Sequence, residues 1–407
     1  MINQEVIDQH AEEAAFLWTQ RDHATRAPQY GLKDLAKLDE RVDAHIDGLR
    51  VAADAGWAAA LAQLNQGRGE VFAAATLAFE SRDSTRVTAV LDVGCTTPLL
   101  ARGLISALGW LGPHVALTEA RSLLISHDAE VRRAGIAGMA IHRMDPGRVL
   151  AEAVGDPHAR LSGRAMKAAA ELGRVDQLPD IVSRLSDPDE ECRFWAAWSA
   201  IRLGDRGSDG AIPILQTVAE APGPMAALAT DMAVRVMSVE DGHQWRNHLA
   251  TRADTSAFAV LAAGAIGDPA AVPELIAAME DPKLARAAGG AFSMISGADF
   301  SLDHLEGDAL FPEDEDSSGG DSDLPWLAPP AVAGWWAKRS SAYSPGFRYL
   351  CGQPITDQSL REVLINGRQT QRVAAALELA LRYPSEILFE TRERAQWQQK
   401  KVRQWNS

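Results

Sequence analysis

The chain has 407 residues, of which 46% are hydrophobic, enough for two or three ordinary domains or for one repeat body whose core grows by stacking. Lys and Arg total 40 against 55 Asp and Glu, a formal net charge of −15 whose field repels phosphate backbones and argues against nucleic acid as a partner. Cys95, Cys192 and Cys351 are odd in number and never in a CxxC spacing, which fits a reducing compartment and three small buried hydrophobes.

Residues 1–68 read as an N-terminal helical cap. Met1 to Glu13 carries Glu5, Asp8, Glu12 and Glu13 and has no apolar h-region, so it does not read as a secretory signal. In the first helix Val6, Ala14, Phe16, Leu17 and Trp18 are expected on the apolar side, with Gln9, Glu12, Glu13 and Arg21 on the polar one. Pro28 and Gly31 end it. Leu35, Leu38, Val42, Ile46 and Leu49 step by three and four along one stripe of a second helix, and Trp57, Leu61 and Leu64 mark a short third.

Residues 69–304 read as a repeat array. Leu172-Gly173, Leu178-Pro179 and Asp187-Pro188 recur at the same internal spacing as Ile266-Gly267, Val272-Pro273 and Asp281-Pro282, with an intermediate copy at Leu203-Gly204 and Ile212-Pro213. A period near 31 residues is that of stacked helical hairpins. Six are expected: Ala116 to His142 turning at His127-Asp128, Pro146 to Gly173 at Asp156-Pro157, and Leu178 to Gly204 at Asp187-Pro188; then Ala211 to Ser238 at Pro222-Gly223-Pro224, Gly242 to Gly267 at Ala253-Asp254, and Val272 to Gly297 at Asp281-Pro282. Asp can cap the second helix, Pro fixes the turn, and the closing Leu-Gly gives a buried anchor followed by a left-handed cap. One hairpin cannot bury its own apolar face, so its neighbours must.

Residues 305–330 hold Glu306, Asp308, Glu313, Asp314, Glu315, Asp316, Asp321 and Asp323 around a Ser-Ser-Gly-Gly core, and read as an exposed acidic loop. Residues 331–407 form a C-terminal helical region. Trp335-Trp336 opens it, and a further hairpin is expected from Gln358 to Arg382. Neighbours on a helix diverge by about 100°, so the two tryptophans are not expected to be equally buried.

The Asp-Pro, Arg, Ala-rich and Leu-Gly sequence resembles the HEAT repeat, particularly the short bacterial HEAT-like variety of phycobilisome lyases. That resemblance implies second helices lining a concave face, and an Asp–Arg ladder of which Arg193, six residues after Asp187, is the candidate rung. Arg133, Arg160 and Arg286 stand four or five residues after their Asp, which implies an incomplete ladder. The ends, His10 to Trp18, Leu38-Asp39-Glu40-Arg41, Gly346 to Leu350 and Arg372 to Glu378, resemble an uncharacterised family of bacterial HEAT-repeat proteins often encoded near type VI secretion genes.

None of the ten His is followed by Glu, which argues against the di-iron chemistry of deoxyhypusine hydroxylase. His127-Asp128 matches a metal-phosphohydrolase pair, but the repeat puts a turn there. Asp314, Asp316 and Ser318-Gly319 resemble the opening of a calcium loop whose twelfth position is Pro325 instead of Glu. Arg132, Arg133, Arg160, Arg164, Arg193 and Arg202 with Trp195 and Trp198 suggest the basic face of a HEAT-like glycosylase, or else ladder members and gap-fillers. No GxGxxG, Walker A, HExxH or GxSxG motif occurs in a suitable context.

The expectation is therefore an all-α solenoid of stacked HEAT-like hairpins, cytoplasmic and without cofactor, metal, nucleic-acid or membrane partner. Its expected role is that of a non-enzymatic scaffold, adaptor or chaperone for a protein, associated with type VI secretion. The candidate contact residues are Arg133, Arg164, Arg193, Trp195, Trp335 and Trp336. The alternatives are a bilin-lyase-like or glycosylase-like enzyme, or a toxin-binding immunity protein.

Overall fold

The computed structural model describes residues 3–206, 210–221, 223–308 and 323–405. These residues are all-α. Twenty-two α-helices are joined mostly by short turns, and the sheet among the described residues is one antiparallel pair, Tyr349–Leu350 with Gln353–Pro354. The chain divides into two compact units. The first is Met1–Thr25, Leu32–Trp195 and Ser385–Ser407; the second is Arg26–Gly31 and Ala196–Pro384, the cut falling inside helix Glu190–Arg202.

In the first unit, helices Gln4–Ala24, Leu32–Val51 and Asp54–Gln63 share one core with the helices that follow, continuous from Ile7 to Ala134. Trp18 stacks on Phe72 at 4.9 Å, and Phe72 meets Trp110 edge-on at 5.5 Å. The second helix buries Leu35, Val42, Ile46 and Leu49 as its stripe requires. The first departs from expectation. Val6 and Phe16 are 46% and 58% exposed, and the buried stripe is Ile7, Ala11, Ala14 and Trp18, which the three-and-four spacing also permits. Arg21 is buried rather than solvated, because Asp39 meets it at 2.8 Å.

All six expected hairpins are present, from Pro113–Leu124 with Ala129–Ile141 to Val272–Ala278 with Ala285–Ser296. Pro222, in one of their turns, lies outside the described residues. In each Asp-Pro turn the Asp Oδ1 accepts the N–H two residues on: His158 to Asp156, Asp189 to Asp187, and Lys283 to Asp281, each at 2.9 Å. Ser126 Oγ does the same for Asp128 at 3.2 Å, so Ser126-His127, not His127-Asp128, matches the Asp-Pro pairs, and Asp128 is the helix cap. This register changes the ladder. Arg193 donates to the Asp187 and Pro188 carbonyls at 2.7 and 2.9 Å, not to the Asp187 carboxylate. Arg132 is its equivalent; it holds the Ser126 and His127 carbonyls and also reaches Asp156 of the next hairpin at 3.1 Å.

The closing glycines do more than cap. Gly173 has φ +68°, with its N–H on the Ala170 carbonyl and the Arg174 N–H on the Ala169 carbonyl, the paired bonds of a left-handed helix stop. The C-terminal segment then passes over it: a Cβ on Gly173 would lie 2.5 Å from the Ser385 carbonyl oxygen. Leu388 donates to the Glu171 carbonyl at 2.9 Å, Arg21 holds the Glu393 carbonyl at 2.9 Å, and Asp39 accepts the Ala395 N–H at 2.6 Å, starting the last helix, Ala395–Arg403. Arg394 pairs with Asp43 and lies over the Trp110 ring.

The second unit uses its glycines in the same way. Cys351 and Gly352, at φ +51° and +79°, make the two-residue turn of the strand pair, the type that needs positive φ at both positions. Their N–H groups dock on the Met294 and Ile295 carbonyls at 2.8 and 2.9 Å, and Tyr349 donates to Gly267 at 2.8 Å. A Cβ on Gly267 would come within 2.4 Å of the Tyr349 carbonyl oxygen. The expected last hairpin is Asp357–Asn366 with Gln369–Arg382. Its Gln369 N–H bonds the Tyr30 carbonyl at 2.7 Å, so the break at Pro28 and Gly31 serves as a docking strand.

Residues 309–322, most of the acidic segment and of the calcium-like run, lie outside the described residues. The two ends of that segment are pinned together. Gly307 donates to the Trp326 carbonyl and Ala328 to the Leu305 carbonyl, each at 2.9 Å. Helix Pro329–Ala337 carries Trp335 and Trp336, and both are partly buried. Phe292 meets both rings edge-on, at 5.6 and 6.3 Å. No helix among the described residues is long and apolar enough to cross a membrane.

Two substitutions test these locks. Gly173→Ala is expected to cost about 1–3 kcal/mol from its left-handed φ alone, whereas Gly155→Ala, whose new Cβ meets nothing nearer than 3.7 Å, should be near neutral. Asp39→Ala leaves Arg21 buried without its carboxylate and should cost about 3–5 kcal/mol. Urea unfolding of the three variants against the parent measures both.

Candidate functional site

Helix Ala159–Glu171 places Arg160, Arg164, Lys167 and Glu171 four, three and four residues apart, so they line one face. Gly163 beside them leaves room for Trp195, whose Cδ1 would lie 3.0 Å from a Cβ there. The Trp195 ring then lies under the Lys167 ammonium, 4.3 Å from its centroid. Arg164 reaches Glu171 at 3.1 Å, and one of its buried guanidinium nitrogens, Nη1, makes no hydrogen bond within the protein.

The C-terminal segment completes the group. Arg392 forks onto Glu390 at 2.9 and 3.0 Å, and Arg143 joins Glu390 at 3.2 Å to Glu171 at 3.9 Å. Arg143 stands at φ +56°, closing helix Ala129–Ile141 where four of the five sister hairpins have glycine. Its Nε donates to the Leu388 carbonyl at 2.8 Å, an anchor no glycine could supply. On the far side of Arg392, Arg102 and Arg68 approach Asp22 at 2.6 and 3.8 Å. Arg68, Arg102, Arg143, Arg164, Lys167 and Arg392 thus surround three carboxylates, Asp22, Glu171 and Glu390, and Arg160 pairs beside them with Glu130 at 3.2 Å.

The electrostatics follow from that imbalance. Burial pushes Glu171 up, but Arg164, then Arg143 and Lys167, outweigh it and hold the carboxyl below its ordinary range. Glu390 is driven far lower against the same burial, by Arg392 and then Arg143. Lys167 goes the other way. Burial brings its ammonium down to about 8, with Glu171 opposing the fall and Arg392 and Arg164 adding to it.

Of the residues singled out from sequence, Arg164 and Trp195 meet in this face. Arg133 turns to Glu130 at 2.7 Å, and Arg193 serves its own turn. Trp335 and Trp336 belong to the second unit, where Trp335 lies under Arg339 at 4.1 Å. Lys167, Glu390 and Arg392 were missed. Lys167 was within reach, three residues after Arg164 on a helix; Glu390 and Arg392 arrive by a chain return that leaves no local pattern. The three thiols are all raised by burial, Cys95 to about 11 and Cys351 to about 12, so none is an activated nucleophile. Among the described residues no three His, Cys, Asp or Glu side chains converge so as to hold a metal ion.

Lys167 makes the face testable without a ligand. A base whose folded value is depressed binds fewer protons folded than unfolded between about 8 and its ordinary value, so its charge costs stability below pH 8 and the cost fades above. Lys167→Met should therefore raise the melting temperature at pH 7, with the gain over the parent shrinking by pH 10. A gain that is equal at both pH values, or a loss at pH 7, contradicts the account.

No protein-family model matches this chain, and no curated protein matches it. Among solved structures, an engineered protein is 14% identical over 93% of this chain and 95% of that chain, with a TM-score of 0.23. A likeness at that score supports no argument about fold or function.

Proposed function

We propose that the chain is a non-enzymatic scaffold or adaptor whose first unit binds an acidic surface on a protein partner through the face around Arg164, Lys167, Trp195 and Arg392. Its support is the concentration of six cations against Asp22, Glu171 and Glu390 in a chain whose net charge is −15. A half-buried lysine held against its desolvation cost serves recognition better than it serves folding. The interleaved carboxylates favour a protein over nucleic acid: a uniform run of phosphates would meet three like charges, whereas a mixed protein surface can match both signs. From the family resemblance, components of type VI secretion are the partner class to try first.

The test uses Arg160→Gln, Lys167→Gln and Arg392→Gln combined, with circular dichroism as the check on folding, and a poly-glutamate peptide as probe. The parent is expected to bind the peptide with an affinity that falls as salt rises, and the triple variant at least tenfold more weakly. Undiminished binding by a folded triple variant removes this face from consideration.

A further inference from the structure

The second unit contains a cleft of about 450 Å³ between the end of helix Ala226–Val236, the segment around Phe347 to Ile355 and the end of helix Gln369–Arg382. That volume lies within the range of small-molecule sites. Four arginines, Arg206, Arg235, Arg348 and Arg382, line it against one carboxylate, Glu378.

The arginines form two layers. Glu378 is 4% exposed, and its Oε1 accepts from both Arg235 Nη1 at 2.8 Å and Arg348 Nη2 at 2.5 Å. Asp231 chelates the other edge of Arg235 at 2.7 and 3.0 Å, while Arg348 also ties down the Ile266 and Arg235 carbonyls at 3.0 Å each. This inner pair is consumed in making the floor. The outer pair is held differently. Arg206 is exposed, and it donates to the carbonyls of Ile201 at 2.8 Å, Leu381 at 3.0 Å and Asp205 at 3.2 Å. Arg382, also exposed, donates to the Ile355 carbonyl at 2.8 Å and forms an ion pair with Asp357 at 3.3 Å.

A carbonyl fixes a guanidinium without cancelling its charge, and each guanidinium has five N–H donors. On the rim Arg206 is met by carbonyls alone, Arg382 shares part of its charge with the Asp357 carboxylate, and both have N–H donors to spare. Beside them Phe347 presents an aromatic face that is 66% exposed, with Ile355 and Leu381 also lining the wall.

We infer that this cleft binds a small organic anion, an apolar or aromatic body carrying one carboxylate or phosphate. The oxyanion is held by Arg206 and Arg382 and the body rests against Phe347. Arginine suits both oxyanions because its fork presents two parallel N–H groups. The site belongs wholly to the second unit and is independent of the face on the first.

Isothermal titration of the full chain with benzoate, phenyl phosphate and neutral benzyl alcohol tests the assignment. At least one anion is expected to bind tenfold or more tightly than the alcohol, and the stronger of the two identifies the oxyanion. Arg206→Gln with Arg382→Gln should lower that affinity at least tenfold while circular dichroism still shows the folded helical spectrum; the melting temperature is expected to fall somewhat, since both side chains hold backbone carbonyls. Phe347→Ala should weaken phenyl phosphate or benzoate severalfold without affecting folding. Equal binding of the alcohol, undiminished binding by the folded double variant, or no binding of either anion at millimolar concentration overturns the inference.

Discussion

The structure depends on chain that returns from far along the sequence to close the ends of the helical hairpins. A helix end leaves carbonyls without partners. In a single hairpin water can take them; in a stack they sit beside neighbours that exclude it. Here the returning chain supplies the donors: Leu388 for the Glu171 carbonyl in the first unit, Cys351 and Gly352 for those of Met294 and Ile295 in the second. The left-handed glycines are what make this approach possible, since a Cβ at Gly173 or Gly267 would overlap the incoming carbonyl. Hairpins built largely on small residues thereby gain contacts remote in sequence. Rapid local helix formation should precede slow closure by the terminal segment.

The same return decides where charge can be kept. Buried ion pairs seldom stabilise more than a well-packed apolar substitute would, so their value lies in fixing position. Arg21 and Asp39 do this for the C-terminal segment, each also holding its backbone at Glu393 and Ala395. With the segment fixed, Glu390 and Arg392 are delivered to the stripe of Arg164, Lys167 and Glu171, and a row of helix charges becomes a face with an interior. The second unit repeats the scheme at Glu378, where Arg235 and Arg348 are immobilised and the outer arginines are left to act.

The hairpins were legible because local chemistry recurs along the chain, complete in three of the six: an Asp that accepts the N–H two residues on, a Pro that sets the turn, an anchor and a glycine that stop the second helix. Their register was read one residue late at His127, because Ser126 does the work of Asp with a shorter side chain. Arg21 was read as solvated because its hydropathy says so, and only Asp39, from another helix, makes it a core residue. The function of Gly173 was half legible. The left-handed cap shows in the Leu-Gly pair; the strand of chain crossing it, drawn from residues beyond 384, does not. For the same reason the candidate face was found at Arg164 and Trp195 and missed at Glu390 and Arg392.

Arg143 shows how the repeat was bent to make that face. By the rule of its sisters the position should be glycine, and a side chain at φ +56° carries a strain of about 1–3 kcal/mol. Nothing in the stop itself needs a side chain, since the Arg143 and Met144 N–H groups make the same two bonds as Gly173 and Arg174. What the guanidinium adds is a bridge from Leu388 and Glu390 to Glu171, which holds the charged segment against the charged helix. One residue away from this bridge in the network, Lys167 carries the second departure, a cation placed where burial disfavours it. Two costs of different kinds, one in the backbone and one in solvation, meet on one surface. Sequences depart from their own local rules chiefly where something other than folding is being served.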